Sequence, residues 1–191
     1  MDEIKIGIII PDRNDRPLFI ANCLRMIKKQ TMQPILVELV NDAPINEKCD
    51  ITRRYRIGYD RLRNKDLDCI LLMENDDWYS PKYIETMVNQ WISDGMPEII
   101  GTNYTIYYHI GLNKHFTMNH KRRASAMDTL LKPDLNFQWC VDHEPYTDLH
   151  LWKTLTGHTF EPKELISIGI KHGVGKCGGV NHVCNFHRYI N

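Results

Sequence analysis

Three short apolar runs constrain this chain more than any other feature. They are residues 4–10 (IKIGIII), 35–40 (ILVELV) and 69–73 (CILLM), and each is followed at once by a polar turn carrying carboxylates. Runs of this length, rich in β-branched residues, read as strands buried on both faces. Between them lie stretches of helical period. Residues 17–30 place Leu18, Ala21, Leu24 and Ile27 three apart, with Pro17 suited to a first helical position. Residues 50–65 read as a basic helix through Ile51, Tyr55, Tyr59 and Leu62, with Gly58 as its weak spot. Ser80 as N-cap, followed by Pro81, opens a third helix through Tyr83, Ile84, Met87, Val88 and Trp91. Strand and helix alternating three times predicts an α/β fold on a parallel sheet with right-handed crossovers.

After residue 97 the pattern changes. Residues 98–109 are aromatic and β-branched, and the turn at Gly111–Lys114 leads into a second extended stretch at 115–118. Residues 147–156 suggest a short helix. Glycines at 169, 173, 175, 178 and 179 predict a loop-like tail. A chain of 191 residues without internal repeats is expected to form one domain, with a mixed α+β second half on the same sheet.

Composition excludes some classes. Lys+Arg and Asp+Glu are 24 each, so global charge offers no broad grip on nucleic acid or anionic membrane. No run reaches transmembrane length, and residues 6–10 are too short for a signal-peptide core and follow Asp2 and Glu3, so a cytoplasmic location is expected. Six scattered cysteines without a CxxC pair are expected to be free thiols. All nine histidines lie beyond residue 108.

The sharpest chemical feature is Met73-Glu74-Asn75-Asp76-Asp77-Trp78, with carboxylates just past the carboxyl end of a buried strand. Ligands of open α/β sheets bind at that edge. Crowded carboxylates repel unless a cation or hydrogen bonds offset them, and an all-oxygen set suits Mg²⁺ or Mn²⁺. The alternative is a polar loop in which Asp76 caps the next helix. Pro11-Asp12-Arg13-Asn14-Asp15 and Asn41-Asp42 end the other two strands, so a parallel sheet would bring all three acidic loops to one edge.

The order of these stretches, IGIIIPDRNDRP (6–17), KKQT (28–31), LVNDA (39–43), RIGYDRL (56–62) and ILLMENDDWYSPKYIETM (70–87), resembles the family 2 glycosyltransferases of GT-A fold. The resemblance covers the first 100 residues well and the remainder loosely. It implies a nucleotide-binding half over 1–100, an acceptor-binding half over 101–191, and a nucleotide-diphosphate sugar donor. By the same resemblance Pro11, Arg13 and Asp42 lie around base and ribose, and the segment from Arg53 to Arg56 helps to seat the nucleotide. Asn75 stands where the family's Asp-x-Asp motif begins and Asp77 where it ends. Asp77 is thus the first choice for the metal, Asp76 the second, and His172 the late histidine of the metal shell, with His182 behind it. Asp148, ahead of an apolar helix, resembles the family's general base, with Glu144 as the alternative. Transfer with inversion to a glycan, a lipid-linked sugar, a protein or a modified DNA base is the implied reaction.

Other readings stay open on the sequence. The stretch His172–Gly179 has the Gly-rich, Lys-containing make-up that wraps a diphosphate, without P-loop spacing. Cys177, His182, Cys184 and His187 offer a zinc set of irregular spacing. A nucleotidyltransferase would also use a nucleotide-binding sheet and metal carboxylates, but residues 11–17 lack its Gly-rich loop. A non-catalytic nucleotide- or metal-binding module is the third class.

Overall fold

The apolar runs at 6–11 and 69–72 bury alternate residues on opposite faces of one sheet, whereas Leu36 and Val37 of the run at 36–40 are exposed. A computed structural model describes residues 3–45 and 49–172. Its first half runs β1 (Ile6–Pro11), α1 (Pro17–Ile27), β2 (Leu36–Val40), α2 (Ile51–Leu62), β3 (Cys69–Leu72), β4 (Trp78–Tyr79) and α3 (Tyr83–Ser93). The second half runs β5 (Ile99–Thr102), β6 (Tyr104–His109), β7 (Lys114–Asn119), β8 (Thr129–Leu131), α4 (Thr147–Thr154), β9 (Gly157–Phe160) and β10 (Ser167–Lys171). Ile6, Ile8, Ile10, Leu71, Ile100 and Leu130 pack on one face with the apolar sides of α1 and α3. Ile9, Ile70, Leu72, Ile99 and Leu131 pack on the other with Tyr55, Tyr59 and Leu62 of α2 and Leu151 of α4. This period of two, covered on both sides, explains why the strands are apolar throughout. Each such side chain stabilises the fold by roughly 1.5–3 kcal/mol.

The six-stranded sheet has the order β2-β1-β3-β8-β5-β9. Strands β2, β1 and β3 are mutually parallel, as are β5 and β9, while β8 lies antiparallel between β3 and β5. The carboxyl ends of β1, β2 and β3 therefore share one edge, as expected. A second sheet, β4-β10-β6-β7, packs beside the first. Here the structure corrects the sequence. Residues 98–109 form two strands in different sheets, because Asn103 breaks the run and donates its N–H to Phe160 of β9. Gly169 lies inside β10 rather than in a loop, paired with Tyr107 of β6, and leaves room for that ring. Residues 173–191, with the proposed diphosphate wrap, His182 and the zinc set, lie outside the described residues.

Ser80 does not cap α3 with its side chain. Trp78 and Tyr79 pair with β10 instead, and the helix begins at Tyr83. Gln30, buried at the end of α1, supplies the cap: its Oε1 accepts the Ile84 N–H at 3.0 Å, and its Nε2 donates to Ser80 O at 2.7 Å. Thr31 adds a bond to Glu85 at 2.8 Å. The Gln30-Thr31 pair thus ties the far end of the carboxylate loop to α1. Cys23, Cys69 and Cys140 are free thiols, and no helix among the described residues is long and apolar enough to cross a membrane.

The weak spot in α2 has a packing cause. A Cβ on Gly58 would lie 2.4 Å from Ile9 Cγ2 and 3.0 Å from Val40 Cγ2, both on fully buried side chains. Glycine is what lets α2 sit down on β1 and β2. Gly58→Val is expected to cost about 1–3 kcal/mol through overpacking, outweighing the few tenths that valine gains over glycine in helix propensity. Urea melts of the two proteins measure it; an unchanged midpoint would contradict this packing.

Candidate active site

The edge where β1, β2 and β3 end is held by buried arginine. Arg54, only 1% exposed, donates to the carbonyls of Asp12, Val40 (2.9 Å) and Asp42 (3.1 Å), and to the Asp50 carboxylate at 2.9 Å. Asp50 also receives Arg13 at 2.5 Å. One buried side chain thus ties together three carbonyls at and beyond the ends of β1 and β2. Asp12 in turn accepts Asn75 Nδ2 at 3.0 Å, so the loop after β1 is joined to the loop after β3.

That second loop carries the carboxylates. Oxygen atoms of Glu74, Asp76 and Asp77 lie within 4.8 Å of one another. Two bonds fix the loop beneath them. Tyr79 Oη accepts the Glu74 N–H at 2.8 Å, and Asp77 Oδ1 accepts the Ile170 N–H of β10 at 2.7 Å. Asp76 Oδ2 receives Arg16 Nη1 at 2.5 Å and lies 2.8 Å from His172 Nε2, while Arg16 Nη2 reaches Asn75 Oδ1 at 3.2 Å. The second sheet therefore delivers both a backbone donor and His172 to the end of β3.

The electrostatics follow from this crowding. Burial, reinforced by Asp76, pushes Glu74 up to about 7. Burial, with Glu74 and Asp76 adding to it, pushes Asp77 well above the ordinary carboxylate range. Against the upward push of burial, the His172 hydrogen bond and Arg16 hold Asp76 down at about 2. Lys171 lowers both Glu74 and Asp77. Two of the three carboxylates are thus short of positive charge, which is the condition a divalent cation relieves. A second observation agrees. Tyr55 is fully buried, its Oη has no hydrogen-bond partner among the described residues, and the charges of Glu74, Asp77 and Asp76 all act on it. A hard cation suits this all-oxygen set, and Glu74, Asp76 and Asp77 are the residues that would hold it.

The remaining expected site residues divide. Asp148 opens α4, is 9% exposed, and is bound by Arg123. Burial raises its carboxyl, with Arg123 pulling the other way, and its charge acts on Glu74. Glu144 is half-buried and accepts the Tyr146 N–H at 3.0 Å. Pro11 is buried in β1. Asp42 is turned to Arg61 at 2.9 Å, which draws its carboxyl down. Arg56 makes a two-pronged ion pair with Asp142 at 3.0 and 2.9 Å, tying α2 to the loop before α4. Asp42 and Arg56 are thus engaged by partners outside the carboxylate cluster. Sequence reasoning passed over Arg16, Lys171, Tyr55 and Asp128. Arg16 stands among several charged residues before α1, and only the register of β10 brings Lys171 into range.

No family model matches the chain, and no curated protein matches it. Solved structures do. A197 from STIV is 14% identical over 83% of this chain and 82% of its own, with a TM-score of 0.54. TarS 1–349 of S. aureus in complex with UDP is 10% identical over 87% of this chain, with a TM-score of 0.57. The same TarS fragment in complex with UDP-GlcNAc is 12% identical over 91% of this chain, with a TM-score of 0.55. This chain spans 60% of the TarS fragment's length. The fold is the mixed α/β architecture of the GT-A type, on a mostly parallel central sheet.

The strand that completes the site is itself held by a buried carboxyl. Asp128 is fully buried and accepts Thr105 Oγ1 of β6 at 2.9 Å and Ser167 Oγ of β10 at 2.5 Å. Burial raises it to about 6, from an ordinary value of 3.8, against the pull of the two hydroxyls. The folded protein therefore holds this proton more tightly than the unfolded chain, and stability from this group falls as pH rises from about 4 through about 6. Asp128→Asn removes the ionisation. The stability of the variant relative to the parent is expected to climb across that window, by on the order of 3 kcal/mol, and to be flat above it. Denaturant melts at several pH values check this; a difference independent of pH would contradict it.

Proposed function

We propose that the chain is a glycosyltransferase that takes a sugar from a nucleotide-diphosphate donor. The observation that carries the reading is the cluster of Glu74, Asp76 and Asp77 at the carboxyl edge of a GT-A-type sheet, with the charge of Asp148 acting on Glu74. The TarS structures with UDP and UDP-GlcNAc support a nucleotide-sugar as the donor class. A divalent ion, Mn²⁺ or Mg²⁺, held by the three carboxylates would neutralise charge on the donor's diphosphate and on the departing nucleotide. Asn75 and Arg13 belong to the loops that receive the nucleotide, and Arg54 keeps those loops in register. Pro11 and Asp42 lie on the same edge, where base and ribose would sit.

The chain's own chemistry is acid–base and positional. Asp148, ionised and steadied by Arg123, accepts the proton of an acceptor hydroxyl, whose oxygen forms the new bond to the anomeric carbon. The bond from that carbon to the phosphate oxygen breaks, and its electron pair leaves with the nucleoside diphosphate. One displacement of this kind inverts the anomeric centre. Burial works to keep Asp148 basic enough for the task, since a raised carboxyl is a better proton acceptor once ionised. Glu144, two residues before Tyr146 at the mouth of α4, is the second candidate for this role. The acceptor is a glycan, a lipid-linked sugar, a protein or a modified DNA base. The free thiols of Cys23, Cys69 and Cys140 suit a reducing, cytoplasmic setting.

Thermal melts with UDP, with and without Mn²⁺, test the donor reading. At about a hundredfold excess over Kd, ligand stabilises by about 2.7 kcal/mol, a rise of roughly 5 °C or more for a chain of this size. Asp77→Asn keeps an oxygen for the Ile170 N–H but removes the charge. It is expected to lower donor hydrolysis by about a hundredfold or more while leaving the unliganded melting temperature near the parent's. Full turnover by that variant would refute the metal role.

A further inference from the structure

Arg16 occupies the place where an incoming cation has to act. It stands just before α1, is 16% exposed, and gives its two terminal nitrogens to Asp76 and Asn75, the middle of the carboxylate loop. Its guanidinium lies 5.5 Å over the Phe19 ring, and the same ring meets His172 edge-on at 4.6 Å. Its Nε makes no hydrogen bond among the described residues, although the Asp15 carboxylate lies 3.5 Å away. The side chain is thus aimed by an aromatic support and only partly satisfied.

Counting charge shows what this does. Three carboxylates face two permanent cations, Arg16 and Lys171. Arg16 is spent on Asp76 and Lys171 lowers Glu74 and Asp77, so the protein offsets part of the cluster's charge with its own side chains. A dication added to this arrangement meets repulsion from Arg16 at short range and competes with it for Asp76. Once the dication is in place, the surplus is positive, and the diphosphate of a nucleotide-sugar is the matching counterpart. Arginine's planar fork suits phosphate oxygens as well as it suits a carboxylate.

We propose that Arg16 couples the two ligands: it holds Asp76 until a diphosphate enters, then turns to the phosphates and leaves that carboxylate to the metal. This inference rests on the donor reading above. Metal alone binds weakly because Arg16 opposes it. The diphosphate strengthens metal binding by drawing Arg16 away, and by linkage the metal strengthens diphosphate binding by the same factor.

Calorimetric titration of Mn²⁺ into the full chain, with and without saturating UDP, tests this in the parent and in Arg16→Gln. Without UDP the variant is expected to bind Mn²⁺ about tenfold more tightly than the parent. The factor by which UDP tightens Mn²⁺ is expected to shrink by a similar amount. Arg16→Lys keeps the charge without the fork and is expected to fall between the two; it also serves if the glutamine variant does not fold. If both variants bind Mn²⁺ no more tightly than the parent, or if the UDP-dependent factor is unchanged in them, the role of Arg16 is overturned and the donor reading stands. If parent and variants alike bind neither Mn²⁺ nor UDP, the donor reading itself falls and takes this inference with it.

Discussion

Three carboxylates at the end of one strand repel one another, and much of this molecule is arranged around holding them together. Glu74, Asp76 and Asp77 sit within 4.8 Å in a partly dehydrated place, where like charges interact far more strongly than in water. The loop survives because each side chain or its backbone is bound from a different element. Tyr79 of β4 holds the Glu74 amide, Arg16 before α1 holds Asp76, and β10 holds Asp77 through the Ile170 N–H. The second sheet is therefore part of the site rather than an appendage, since both β4 and β10 belong to it.

The same logic extends beneath the edge. Arg54 and Asp50 are buried, an arrangement that is costly unless every donor and acceptor finds a partner. Arg54 uses its two terminal nitrogens on three carbonyls and one carboxylate, and Asp50 takes Arg13 as well, although Arg54 Nε finds no hydrogen-bond partner among the described residues. A buried ion pair of this kind is weak evidence for stability, but it leaves the loops after β1 and β2 little freedom. The geometry of this edge thus comes from α2, which sits close to β1 and β2 only because position 58 has no side chain.

The first half of the fold was legible in the sequence because its signals are local and long. Residues 4–10, 35–40 and 69–73 appear as β1, β2 and β3 within one to three residues, and the helices between them follow their apolar stripes. In the second half the β6–β7 hairpin and α4 were legible, but β8 and β9 were not, because β8 has three residues and β9 four, and their pairing partners lie far away in the chain. No local period marks a strand that short, and Gly169 carries a loop signature that the space required by Tyr107 overrides. At the site, the adjacent acids after β3 stood out by type alone. Arg16 did not, because nothing in DRNDRP separates it from Arg13, and the difference arises from where the chain turns into α1. The engagement of Asp42 by Arg61 and of Arg56 by Asp142 likewise depends on tertiary placement that spacing does not reveal.

The bond from Ile170 to Asp77 joins residues 93 apart in sequence, and that from His172 to Asp76 spans 96. Contacts this remote are the last to be rewarded as a chain folds, because a long loop has to close first. On a ribosome the strands of the first half can pair while β10 is still unmade, and the acidic loop then waits in water with its charges hydrated. Maturation of the acidic site is therefore a late event, timed by the emergence of the chain's final strand among those described rather than by assembly of the first half.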